Sequence, residues 1–229
     1  MQRALGLGVL LLALTTACGA SINDAYKADL DRRLAGLHGS DASYASVDSF
    51  EPLPLAAGQW IQFKFVNEKR EPSLVKYSVV GQEGNAYWFE ITQENYYHRS
   101  DTRLLIAIGD RKDPGSYDVR AFAMKTDGKL HDYPPGMLGL FRSLYKPIVE
   151  NLVVDWNNLP REDTRVTAGE FHGCFKHRAA FSFGPYHQTS DGWSHPLVPI
   201  NGLVRSVGVD KPITMELTAF GTEGAKSVF

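Results

Sequence analysis

Cysteine is nearly missing from this chain: Cys18 and Cys174 are the two present in 229 residues. A disulfide-stapled scaffold is therefore excluded, and one bridge at most could form, if Cys18 is retained unmodified. Charge of one sign is also lacking. Lys and Arg number 24 against 26 Asp and Glu, for a net charge of −2. Without a basic stripe, nucleic-acid binding has no electrostatic footprint. No apolar run is long enough to cross a bilayer. The longest, Ala4 to Ala17, would reach about 21 Å as a helix, against a hydrocarbon core of about 30 Å. The seven histidines fall in no metal-ligand spacing, although His187, Asp191 and His195 flank one stretch and could meet in space. There is no G-x-S-x-G elbow. Gly221 to Ser227 fails as a phosphate loop, because Ala225 stands where the motif needs glycine. A turn and a short closing strand are expected there instead. These absences predict a non-enzymatic protein with no cofactor, no metal and no nucleic-acid partner.

What is present begins at the amino terminus. Arg3 supplies a positive start, Ala4 to Ala17 an apolar and small-residue middle, and Thr15-Thr16-Ala17 leads to Cys18. This order describes an export signal. The position of Cys18 resembles the lipobox of a bacterial lipoprotein. The resemblance implies removal of residues 1–17, acyl chains on Cys18, and attachment to a membrane. Gly19, where an inner-membrane retention signal would carry aspartate, implies the outer membrane and its periplasmic face. The alternative is a cut after Ala20, leaving a soluble exported protein. Two or more chains are needed for stable anchoring.

Beyond the anchor, residues 21–38 carry Ile22, Tyr26, Leu30, Leu34 and Leu37 at helical spacing, with Asn23 as N-cap and Gly39 as stop. Residues 39–58 read as a connection, so 18–58 precedes a β domain over 59–229. From residue 59 the period falls to two. Strands are expected over 59–67, 74–81, 86–93, 102–109 and 117–125, then 164–166, 171–183, 202–208 and 212–220, with 184–192 as a loop. Met137–Tyr145 is a short apolar helix candidate. The fold class is mainly β (α+β): an antiparallel curved sheet or incomplete barrel with an N-terminal helix and a short apolar helix packed on it.

Aromatic residues recur on successive strands. They make a packed sheet core on one reading. On the other, an incompletely filled space between sheet and helices is an apolar pocket for a lipid tail or similar ligand. Its lining would be Phe63, Phe65, Tyr77, Tyr87 and Phe89, with Leu140, Phe141 and Leu144 on a lid. A second role, assembly with other envelope proteins, would use Tyr96, Tyr97, Trp193 and the Pro134–Gly136 loop, with no particular partner indicated. Cys174 reads as a small buried hydrophobe. His172 and Lys176 would share its strand face.

Residues Arg165-Val166-Thr167-Ala168-Gly169-Glu170-Phe171, followed by Gly192-Trp193-Ser194, Val198 to Val204 and Met215 to Gly221, are similar in order to a group of Gram-negative lipoproteins of unassigned role. More remotely they resemble the LolA/LolB half-barrel. The resemblance implies an incomplete barrel wrapped around helices, with an apolar interior. At the turn, Gly169 is expected at positive φ, with Val166 and Phe171 entering the core on either side of it.

Overall fold

The computed structural model describes residues 21–109, 117–131, 133, 136, 139, 158–183 and 186–229. The signal segment, Cys18, Leu140, Phe141, Leu144 and nearly all of the expected second helix lie outside the described residues.

The first element is a helix, α1 (Asp24–Ala35). Its start follows from Asn23, which is extended and accepts hydrogen bonds from Ala25 N at 3.0 Å and Tyr26 N at 3.3 Å. Asp24 in the first turn and Arg32 and Arg33 in the last complement the helix dipole. The helix ends at Gly36, three residues before the expected stop at Gly39. The expected apolar stripe is not what docks it. Leu30 is its one buried residue, and Ile22 is 48% exposed. Polar contacts hold α1 against the turn after residue 94. Asn23 N donates to Tyr96 O at 2.9 Å, Tyr96 Oη donates to Asp31 at 2.8 Å, and Arg33 pairs with Glu94.

Twelve strands follow among the described residues: β1 (Ser43–Tyr44), β2 (Trp60–Val66), β3 (Pro72–Glu83), β4 (Ala86–Glu94), β5 (Arg99–Ala107), β6 (Asp118–Thr126), β7 (Lys129–His131), β8 (Arg161–Val166), β9 (Gly169–Phe183), β10 (Tyr186–Ser194), β11 (Leu203–Gly208) and β12 (Thr214–Gly221). They form one open sheet in the order β1-β9-β10-β11-β12-β2-β3-β4-β5-β6-β7, with β8 paired to β9 off this path. All pairs are antiparallel except β1 with β9. The sheet is rolled at one end. Three strand spacings separate β8 from β11, about 14 Å in a flat sheet. Yet β8 lies within 8 Å of both β11 and β12, and Ala168 N donates to Leu217 O at 3.1 Å. No helix among the described residues is long and apolar enough to cross a membrane.

Register assigns the two faces. One carries the rows Ile61-Tyr77-Ile91-Thr102-Met124, Val79-Phe89-Leu104-Phe122 and Tyr87-Ile106-Val119. This is the core face, joined by Phe171, Cys174, Val204, Met215 and Leu217 from the rolled end. The other face is polar, with Glu90 opposite Arg103 and Thr92 opposite Asp101.

Three expectations need correction. Residues 184–192 were expected as a loop, but β10 runs from Tyr186 to Ser194. Its turn-like residues have sheet work: Gln188 bonds Ser190 at 3.0 Å, Asp191 pairs with Arg178, and Gly192 leaves the space that the His177 ring fills. Second, no strand closes the chain after β12. Residues 222–229 cross the polar face instead. Ala225 N donates to Gly58 O at 2.8 Å, while Ser227 Oγ and Val228 N both donate to Glu90, at 2.6 and 2.8 Å. Third, β7 follows β6 through a tight turn at Asp127-Gly128 that the period-two reading did not include.

Candidate functional site

The aromatic set lies on the core face. Phe63 and Phe65 on β2, Tyr77 on β3 and Phe89 on β4 are buried, and Tyr87 packs against the same cluster from a half-buried position. Phe63 meets Tyr77 edge-on, with ring centroids 6.1 Å apart. Burial pushes the Tyr77 hydroxyl well above its usual range. These residues therefore act first as packing. Toward β6 and β7 the cover thins. Phe122 and Tyr133 are half-buried, 5.5 Å apart edge-to-face, and Tyr133 Oη lies 3.4 Å from Met124 Sδ. The same face holds buried Gln93, Ser100 and Thr102.

The residues expected on an assembly patch do not come together. Tyr96 and Tyr97 sit at the β4–β5 turn, where their hydroxyls donate to Asp31 and Glu71, both at 2.8 Å. Trp193 is on β10, donates to Glu162 at 3.0 Å, and lies under Lys176 and Arg205. Pro134 and Pro135 lie outside the described residues.

Among the His and Cys positions, Cys174 is buried and free, and burial pushes its thiol up to about 12. Positive φ at Gly173 breaks the alternation, so Cys174 and Phe175 both turn inward and His172 is left outside. The shared face expected for His172 and Cys174 is thus not formed. Of the His187–Asp191–His195 grouping, buried His195 faces Ala45 O at 3.1 Å through Nε2 and Asp191 pairs with Arg178, while the His187 side chain lies outside the described ones.

Residues 40–50, expected as a loose connection, are a strap clasped over β8, β9 and the segment after β10. Ser40 N donates to Thr167 O at 2.9 Å, and Glu170 N donates to Ala42 O at 2.9 Å. Tyr44 stacks on Phe171 with centroids 4.3 Å apart. Arg161 donates to the carbonyls of Val47 and Asp48, and Phe50 packs edge-on against Phe175 at 5.4 Å. On this strap, Ser43 Oγ lies 3.1 Å from His172 Nε2, and His172 Nδ1 lies 3.0 Å from Asp163 Oδ2. Sequence reasoning missed this row, because residues 43, 163 and 172 share no motif. It depends on the parallel β1–β9 pairing and a register shift in β8. The bend at Gly169-Gly173 was the nearest available signal.

No family model matches the chain, and no curated protein matches it. A comparison of folds finds a candidate exported protein of Bacteroides fragilis with a YmcC-like fold. It shares 12% identity and a TM-score of 0.33 over 76% of this chain and 100% of that one. That likeness is too slight to transfer a role.

Proposed function

We propose that this chain is an exported envelope protein, tethered through acyl chains on Cys18, that binds an apolar ligand along the aromatic face of its open sheet. The observation behind the ligand reading is a gradient. The face is dry at Phe63 and Val79, both 0% exposed, and opens to half-buried Tyr87, Phe122 and Tyr133 near β6 and β7. Gln93, Ser100 and Thr102 add a few polar groups to an otherwise apolar lining, the usual make-up of a small-molecule site. The tether reading is supported by the Arg3 to Cys18 pattern alone.

The experiment is native mass spectrometry of the full chain extracted from membranes, paired with titration of the lipid-free protein by N-phenyl-1-naphthylamine. A passenger lipid, or saturable dye binding weakened about tenfold or more by Phe122→Arg, is the expected result. Protein free of lipid that gives only linear, non-saturating dye fluorescence would remove the ligand reading.

A further inference from the structure

The Ser43–His172–Asp163 row has the arrangement of a nucleophile, its base and the group that orients the base. We infer that it is an acyl-transfer site acting on esters presented at the protein surface.

The geometry is specific. Asp163 sits at the register shift of β8, between Glu162 and Thr164, which takes it out of the ladder. One carboxylate oxygen accepts from Gly173 N at 2.8 Å, and the other faces His172 Nδ1 at 3.0 Å. Gly173 is at φ +64, so the chain bends where that amide must point at Asp163. With Nδ1–H donated to Asp163, Nε2 of the neutral ring is left as an acceptor, and Ser43 Oγ–H donates to it at 3.1 Å. Ser43 is held on the two-residue strand β1, in which it pairs with Glu170 and its neighbour Tyr44 pairs with Phe171. A bulge that re-aims a side chain beside a reactive group is a recurrent device, and the three roles match those of acyl-transfer triads on unrelated folds.

The site is open. The His172 side chain is 37% exposed and that of Asp163 63% exposed. With both side chains reaching solvent, the substrate class is an ester presented at the surface rather than a small molecule sealed from water. In the step, Ser43 Oγ bonds to the carbonyl carbon while its proton passes to His172 Nε2. The tetrahedral adduct collapses, the bond to the leaving alkoxide breaks, and His172 returns the proton to that oxygen. Water then attacks the acyl-serine by the same route, releasing the acid. Asp163 stays ionised throughout.

The test uses the full chain in detergent, with a fluorophosphonate probe and with p-nitrophenyl acetate. A single adduct mapped to Ser43 is expected. Ester hydrolysis should fall about tenfold or more in Ser43→Ala and His172→Gln, while Ser46→Ala keeps both readouts. The rate should rise with pH on a limb set above the usual histidine range, since Asp163 holds the His172 ring protonated to higher pH. Unchanged melting temperatures would show that the variants are folded. No adduct at Ser43, or hydrolysis unaltered in Ser43→Ala, would overturn the proposal. The row would then only pin the strap.

Discussion

Gly169 shows how a single position can be decided by two independent constraints. Its φ is +136, and a Cβ built there would stand 2.5 Å from Ala42 O, the atom that accepts from Glu170 N. Backbone strain and strap contact therefore act together. Gly169→Val should lower stability by about 1–3 kcal/mol. A chemical-denaturation midpoint unchanged by the substitution would contradict it. His177 supplies a pH dependence. It is 5% exposed, and burial holds its ring down to about 4. The unfolded chain takes up a proton near pH 6.5, and the native protein does not until about pH 4. Stability should therefore fall as pH drops through that window, by up to about 3 kcal/mol, and level off below it. Urea midpoints measured from pH 7.5 to 4 would show this, and His177→Gln should flatten the curve. The residue-level signals were legible where local chemistry dictates them: the Asn23 cap, the positive φ of Gly169 and the burial of Cys174. They were illegible for Ser43, which meets His172 from 129 residues away, and for Asp163, which meets it through a register shift in the β8–β9 hairpin.

Elements were read well where the period of two was clean. β2, β4 and β6 fall within a few residues of their expected bounds because Ile61-Phe63-Phe65 and its counterparts alternate with polar neighbours. β10 escaped because its inward positions are Gln188, Ser190 and Gly192, whose partners lie on β9 or within the strand itself. The carboxyl-terminal segment escaped for a related reason. Its last residues are held chiefly by one buried acid, Glu90, 2% exposed, which faces Ser227, Val228 N and, at 3.5 Å, Arg103, while Ala225 N bonds Gly58 O. Truncation after Gly221 should cost about 1–3 kcal/mol, since it strips two donors from a desolvated carboxylate. The loss should be smaller when Glu90→Gln is already present. Equal losses in both backgrounds, read from thermal melts, would mean that Glu90 does not hold the tail.

For the molecule as a whole, the open, curved antiparallel sheet of the fold class was legible; which strands meet at the rolled end, β8 against β11 and β12, was not. The helix was expected on the sheet by an apolar stripe, and polar contacts at the β4–β5 turn hold it instead. Cys18→Ser is expected to shift the full chain from the membrane pellet to the soluble fraction and remove the acyl mass. Undiminished pelleting of an unmodified variant would refute the tether.

The docking of α1 carries a geometric consequence if Cys18 is the anchor. Four residues lie between Cys18 and Asn23, a leash of no more than about 18 Å when fully drawn out. Asn23 is itself bonded to Tyr96 at the β4–β5 turn. The body could not swing freely above the lipid. That hairpin end would ride close to the headgroups, the pose of the sheet would be restricted, and inserting a flexible decapeptide before Asn23 would set it loose.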